Sequence, residues 1–182
     1  MKATGIVRRV DELGRLVIPK EIRRTMRLAE GTPLEIFTDR EGQIILKKYS
    51  PMMELGSFAK QYAESVAQTM NQKVAVSDRD QIIAVAGGGK RELLGKTISR
   101  QLEEMIINRE NSIQAGLDKK TIPLISGDED SYSAQANYPI CCEADCIGAV
   151  ILYSRENQTH FSETEYKAAA CAASFLGKQM EG

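Results

Sequence analysis

The sequence contains no tryptophan, a single histidine, four cysteines and no long hydrophobic run. Its longest uninterrupted apolar stretch spans 147–153, far short of the about 20 residues that a membrane-crossing helix needs. The N-terminus is charged where a secretory signal would be apolar. We therefore expect a cytoplasmic protein without a membrane partner.

Histidine and cysteine are too sparse for the usual metal and catalytic sites. His160 stands alone, and Cys141, Cys142 and Cys146 include no Cys-x-x-Cys pair, so the ligand spacing of a structural zinc site is missing. No nucleophile with a partnering base can be identified either. The sequence predicts no metal, no cofactor and no enzymatic activity, and it favours packed, reduced thiols at the three clustered cysteines.

A glycine run at 87–89, followed by Lys90, invites comparison with phosphate-binding loops. Ala84 stands where the first glycine of that motif belongs, and Arg91 stands where its serine or threonine belongs. We interpret the run as a turn before a helix. A second possibility is that its backbone amides line a ligand pocket.

The overall charge of −1 conceals an asymmetry along the chain. Residues 1–50 contain eleven Lys and Arg against seven Asp and Glu, a net charge of +4, whereas the remainder has a net charge of −5. Eight of the eleven cations precede residue 28. Such a cluster can neutralise several phosphates and release their counterions, so it favours a nucleic-acid interface over an ordinary solvated face.

The N-terminal residues show the pattern of two hairpins joined by a short helix. Alternating β-branched residues predict strands at 4–10 and 15–18 around a turn at 11–14, and Pro19 is suited to the first turn of a helix. A second hairpin is predicted at 34–46, with its turn at 39–42. So few residues bury too little surface to be stable alone, which predicts an obligate dimer.

Beyond Pro51 the pattern becomes that of a mixed domain. Apolar residues from Leu55 to Met70 recur with nearly coiled-coil spacing and predict a connector helix that could pair two chains into a tetramer. Five antiparallel strands are expected at 74–76, 81–86, 121–125, 134–142 and 146–153, with a helix within 93–108. Ser162 and Glu165 form a capping box that predicts the start of a final helix.

Five motifs of residues 2–51 are specific enough to compare with known families: Thr4-Gly5-Ile6-Val7-Arg8, Asp11-Glu12-Leu13-Gly14-Arg15, Val17-Ile18-Pro19-Lys20-Glu21-Ile22-Arg23-Arg24, Leu34-Glu35-Ile36 and Ile45-Leu46-Lys47-Lys48-Tyr49. Through these motifs, residues 2–51 closely resemble the AbrB family of transition-state regulators. The resemblance implies a swapped-hairpin β-barrel in which two chains interleave. It also implies that Arg8, Arg15, Arg23 and Arg24 contact DNA, with Arg9 and Lys20 assisting.

The element order after Pro51 resembles that of GAF domains, which implies an α/β/α sensor with an antiparallel sheet. Together the two resemblances give an α+β protein with a DNA-binding domain at 1–51, a connector helix at 52–71 and a GAF-like sensor domain at 72–182. The whole layout resembles regulators of sporulation genes in spore-forming bacteria. The ligand-binding residues of the sensor cannot be assigned from the sequence.

The hypothesis that follows is a nucleoid-associated transcription regulator, active as a homodimer or homotetramer on double-stranded DNA and modulated by a small-molecule effector. Two alternatives remain open. One is an antitoxin-like or scaffold protein whose N-terminal module binds another protein. The other is a small-molecule enzyme that uses the distal domain.

Overall fold

The computed structural model describes residues 5–49, 56–115, 121–128, 132–156 and 159–181, except for the side chains of 113–115. The chain divides into two compact units, Met1–Tyr49 and Ser50–Gly182. Helices and antiparallel sheets occur together, which confirms the predicted α+β class. The two units are described separately below.

The N-terminal unit contains a short helix and one β-hairpin. Helix α1 is Lys20–Thr25 and begins directly after Pro19, as predicted. Strands β1, Leu34–Thr38, and β2, Ile44–Lys48, pair antiparallel from Leu34 opposite Lys48 to Thr38 opposite Ile44. This confirms the second predicted hairpin.

The first predicted hairpin is only partly formed. Its turn is present, because the Asp11 amide donates to the Arg15 carbonyl at 3.0 Å. The flanking segments 5–10 and 15–19 are extended but form no strand pair with any described residue. Several of their apolar side chains are exposed, Val7 at 84% and Val17 at 72%, whereas Ile18 is half-buried and Pro19 is buried. The β pattern of these segments is therefore not realised as a strand pair among the described residues.

The C-terminal unit is built on a five-stranded antiparallel sheet. Its strands are β3, Lys73–Asp78; β4, Ile82–Ala86; β5, Ser112–Ala115; β6, Ala134–Cys142; and β7, Asp145–Ser154. They lie in the order β4-β3-β7-β6-β5. Helices α2, Gly56–Met70, and α5, Glu163–Lys178, pack on one face of the sheet around a first hydrophobic core. Helices α3, Lys90–Leu93, and α4, Arg100–Ile107, contribute buried residues to a second hydrophobic core. The predicted α/β/α layering is confirmed.

The predicted strand at 121–125 is wrong, because the fifth strand of the sheet is β5 at Ser112–Ala115. Pro123 has no amide to donate to a ladder. Instead, the side chain of Gln135 bonds both backbone groups of Ile122, at 2.9 Å to the amide and 2.7 Å to the carbonyl. The Gln135 side chain, together with hydrogen bonds from Ser99 to the Pro123 and Leu124 carbonyls, holds the segment in place of a strand partner.

Helix α2 is part of the C-terminal core. Ala59, Ala63 and Ala67 are its most buried residues, because small side chains let the helix approach the sheet closely. Tyr62, Val66 and Met70 of the predicted stripe pack at the margin of this core. Phe58 is 47% exposed, and Leu55 lies outside the described residues.

Helix α5 begins as predicted. The Ser162 side chain accepts from the Thr164 amide, and the Ser162 amide donates to Glu165 Oε2 at 2.7 Å, which completes the capping box.

The glycine run at 87–89 is a turn before α3, as predicted. A side chain at Gly89 would collide with the hydroxyl of Tyr153, which donates to the Gly88 carbonyl.

The expectation of reduced thiols is wrong for two of the clustered cysteines. Cys141 and Cys146 stand opposite each other in the β6–β7 ladder and form a disulfide. Cys142 and Cys171 are free thiols. The pairing follows from the strand register, which sequence spacing alone did not fix.

Candidate nucleic-acid interface

The turn at 11–15 is built around the carboxylate of Asp11. Its Oδ1 atom accepts from the Leu13 amide at 3.0 Å and from the Arg15 amide at 2.8 Å. Gly14 adopts φ of +74°, the left-handed region in which a residue with a Cβ is strained. The sequence therefore fixes the backbone of this turn locally, through an aspartate and a glycine.

The side chain of Arg15 joins the same carboxylate. Arg15 Nε donates to Asp11 Oδ2 at 2.8 Å, with 70% of the arginine side chain and 42% of the aspartate side chain exposed. Hydrogen bonds from the Arg15 amide and from its guanidinium hold the pKa of Asp11 below its ordinary value. The hydrogen bond to Asp11 engages Nε, and no described contact engages the Nη groups of Arg15.

Three further predicted DNA-binding residues lie on α1. Lys20, Arg23 and Arg24 are exposed, and the two arginines occupy the last turn, where a positive charge complements the helix dipole. None of the three forms an ion pair with a described residue. Ile22, between them in sequence, is half-buried and faces the unit's apolar groove.

The remaining two predicted residues lie on the extended segment before the turn. Arg8 and Arg9 are both exposed, and Arg8 Nη1 donates to the Val7 carbonyl at 3.2 Å. Arg8 also borders the apolar groove that Leu16 and Ile22 line. The structure thus brings all six residues to the surface of one unit, and among contacts between described residues Arg15 alone of the six is ion-paired.

The apolar groove of this unit has a volume of about 280 Å³. It is lined mainly by aliphatic side chains from the extended segments, α1 and the hairpin, among them Ile6, Leu16, Met26, Leu34 and Leu46. Ile6, Leu16 and Met26 are between 38% and 49% exposed. No residue of α1 is fully buried, and Ile22 and Met26, one helical turn apart, line this groove while remaining partly exposed.

Sequence reasoning missed Asp11, which it treated only as a turn residue. The signal was present in the repeat of one motif, Asp11-Glu12-Leu13-Gly14-Arg15 and Asp39-Arg40-Glu41-Gly42-Gln43. Asp39 Oδ1 accepts from the Glu41 and Gln43 amides, each at 2.9 Å, and Gly42 has φ of +80°. The two hairpin turns therefore share one backbone design.

A polar network lies at the second face of the C-terminal sheet. Arg155 contacts Glu92 at 3.0 Å and Asp128 at 3.5 Å, and its guanidinium lies over the ring of Tyr132. Burial and the hydrogen bond to Asp128 raise the pKa of Tyr132.

The described residues contain no cluster of His, Cys, Asp or Glu suited to a metal ion. In the same part of the chain, every helix is too short or too polar to cross a membrane.

Two family models match the chain. The model described as "Stage V sporulation protein T C-terminal, transcription factor" matches residues 54–181. The model described as "Antidote-toxin recognition MazE, bacterial antitoxin" matches residues 7–53.

Individual relatives match the same two parts. Stage V sporulation protein T of Bacillus subtilis (strain 168) is 49% identical over 181 residues, which cover 100% of this chain and 99% of the relative. Transition state regulatory protein AbrB of the same organism is 66% identical over 53 residues, which cover 29% of this chain and 54% of AbrB. The crystal structure of the GAF domain from Acinetobacter phosphoenolpyruvate-protein phosphotransferase aligns with a TM-score of 0.57 at 13% identity, covering 74% of this chain and 84% of that one. This last likeness confirms the GAF-like fold.

Proposed function

The chain belongs to the stage V sporulation protein T family of transcription factors, and we propose that it regulates sporulation genes by binding double-stranded DNA through its N-terminal unit. Its place of action would be the cytoplasm, in association with the nucleoid. The proposed role is not enzymatic, because the family model that covers most of the chain describes a transcription factor.

The observation that carries this proposal is the exposure of six cations on one small unit. Arg15 extends from a rigid turn, Lys20, Arg23 and Arg24 from a helix, and Arg8 and Arg9 from the segment before the turn. Two copies of this set would neutralise several phosphates on one duplex. Arginine suits this surface because its planar fork can bind a phosphate or a guanine edge through two hydrogen bonds.

We propose that the unit, bounded at 1–51, functions as a homodimer with a swapped-hairpin barrel. The extended segments 5–10 and 15–19 offer strand edges, and Val7, Val10 and Val17 are between 65% and 84% exposed. The adjoining groove of about 280 Å³ is lined by aliphatic side chains. Interleaving with a second copy would pair those edges and fill that groove, which removes the apolar surface from water.

We propose that the C-terminal unit senses a small-molecule effector, with residues 52–71, which include α2, as the connector and residues 72–182 as the sensor domain. Its GAF-like fold supports this role.

We further propose a homotetramer, because α2 and α5 present an aromatic surface. Tyr62 and Phe175 stack with their ring centroids 4.9 Å apart, and Phe58 and Phe175 are 47% and 39% exposed. Sedimentation of the full chain tests this; a pure dimer would contradict it.

Salt dependence of DNA binding tests the main proposal. We expect log affinity for duplex DNA to fall linearly with log salt, and Arg23→Ala to flatten the slope by about 1.8, since a dimer loses two phosphate contacts of about 0.9 each. The matched control is Arg100→Ala, an exposed arginine of the C-terminal unit. Failure of the full chain to bind any duplex at low salt would refute the proposal.

A second candidate function is an antitoxin-like or scaffold role, in which the N-terminal unit binds another protein. The match of residues 7–53 to the MazE antitoxin model favours it. A stoichiometric protein partner recovered with the chain from its own cells, together with DNA binding that is indifferent to Arg23→Ala, would support this alternative. Loss of DNA binding in Arg23→Ala would contradict it as the main role.

A further inference from the structure

We propose that Asp11 is a positioning residue that presents Arg15 to a guanine base rather than to a phosphate. This inference rests on the proposed DNA-binding function and assigns separate roles within the cation set. Arg15 would read sequence, whereas Arg23 and Arg24 would hold the backbone. Asp11 itself need not touch DNA.

The geometry limits which nitrogens of Arg15 are available. Asp11 Oδ1 is engaged by two backbone amides at 3.0 Å and 2.8 Å, so the carboxylate cannot rotate freely. Its Oδ2 atom holds Arg15 Nε at 2.8 Å. With Nε engaged, the two Nη groups remain for a partner. That pair can span O6 and N7 of guanine in the major groove.

The negative charge of Asp11 also favours a guanine edge over a phosphate as the partner of Arg15. A phosphate that approaches Arg15 also approaches the carboxylate of Asp11, and the two negative charges repel. The guanine edge is neutral and offers only acceptors, so it gains two hydrogen bonds without that repulsion. Arg23 and Arg24 have no acidic partner among the described residues, which leaves them suited to phosphates.

The second turn of the unit shows that the bond between Asp11 and Arg15 Nε is not needed for the fold. Asp39 makes the same two backbone contacts, but the residue in the position of Arg15 is Gln43. Gln43 Nε2 donates to Glu41 rather than to Asp39. Since the backbone closes without an aspartate–arginine side-chain bond there, the bond at Arg15 is available for a role in recognition.

The test uses the full chain and duplexes that the wild-type chain selects from a random-sequence pool. Deazaguanine, which lacks the N7 acceptor, replaces each guanine in turn. For the wild type we expect one guanine in each half-site whose replacement weakens binding about tenfold, because the contact with Arg15 keeps its bond to O6 but loses its bond to N7. In Asp11→Asn this penalty should largely disappear. Binding to a guanine-free alternating dA-dT duplex should strengthen, and its salt slope should steepen by up to about 1.8.

Two control variants separate the effect of positioning Arg15 from effects on folding and on charge. Asp39→Asn makes the same change in the turn without an arginine and should leave the guanine penalty intact. Arg15→Lys keeps the charge but removes the fork, so it should abolish the penalty while retaining dA-dT binding. Circular dichroism establishes folding. If Asp11→Asn does not fold, Asp11→Ser, which keeps a side-chain oxygen for the two amides, takes its place.

The outcomes distinguish this inference from the proposed function. A full guanine penalty in folded Asp11→Asn, or a wild type indifferent to deazaguanine at every position, would overturn the role of Asp11 while DNA binding stands. Absence of all duplex binding at low salt would instead overturn the proposed function.

Discussion

The side-chain amide of Gln135 replaces a β-strand partner for Ile122, because it accepts from the Ile122 amide and donates to the Ile122 carbonyl. Gln135 is fully buried on β6. The neighbouring Leu124 is also fully buried, in the second core of the sheet. Besides this side chain, the Ser99 hydroxyl donates to the Pro123 carbonyl at 2.6 Å and the Ser99 amide donates to the Leu124 carbonyl at 3.1 Å, so the irregular segment is held both from β6 and from the start of α4.

We expect Gln135→Leu to destabilise the C-terminal unit by about 2–4 kcal/mol, because two backbone groups lose their partners in a buried site. Urea unfolding followed by circular dichroism measures the change. The control is Gln101→Leu on the exposed side of α4, which should shift stability by no more than about 0.5 kcal/mol. Equal effects of the two variants would contradict the role assigned to Gln135.

The Ile122 segment also shows where sequence reasoning fails. Residues 121–125 carry a β-like pattern, but their partner is a side chain that no periodicity reveals. Elements with local signals were predicted correctly, such as α5 with its capping box and the hairpin around Gly42. The segments flanking Asp11 form no strand pair among the described residues, and the Cys141–Cys146 bond needs the β6–β7 register. Arg23 is exposed on α1, and its contact with DNA stays a prediction, whereas the bond from Asp11 to Arg15 depends on three-dimensional geometry that the sequence pattern does not reveal.

Thiol labelling tests the cysteine pairing. Iodoacetamide should modify Cys171 and Cys142 in the folded chain, and Cys141 and Cys146 only after reduction. Cys142 should react more slowly than an ordinary thiol, because burial and the nearby carboxylates of Glu181 and Glu143 raise its pKa. Peptide mass spectrometry gives the sites. Equal labelling of all four thiols without a reductant would contradict the disulfide.

Alkaline titration tests the environment of Tyr153. Burial raises the pKa of Tyr153 to about 12, with Arg155 lowering it and Glu92 raising it. The folded state therefore favours the neutral phenol. This stabilisation is complete below the ordinary tyrosine pKa of about 10 and is lost as the pH rises toward the folded value.

We accordingly expect urea resistance to fall between about pH 10 and about pH 12 in the wild type and to fall less in Tyr153→Phe. The exposed Tyr49, in the other unit, supplies the control Tyr49→Phe. An unchanged pH dependence in Tyr153→Phe would mean that this phenol does not contribute.

The capping box of α5 is expected to contribute to stability. Ser162→Ala removes the acceptor for the Thr164 amide and the hydroxyl that donates to Glu165, so it should cost about 1 kcal/mol. Ser174→Ala, at an exposed position of the same helix, should be nearly neutral. Thermal unfolding compares the two. A neutral Ser162→Ala would show that the helix start is fixed by core packing instead.

The shared turn design separates the shape of a loop from what the loop can recognise. One aspartate and one glycine set the backbone, and the fifth residue is arginine in one copy and glutamine in the other. Under the role proposed for Arg15, a substitution at that fifth position would alter target preference without a new loop conformation. A single codon change there would then act on recognition while the turn that carries it stays the same.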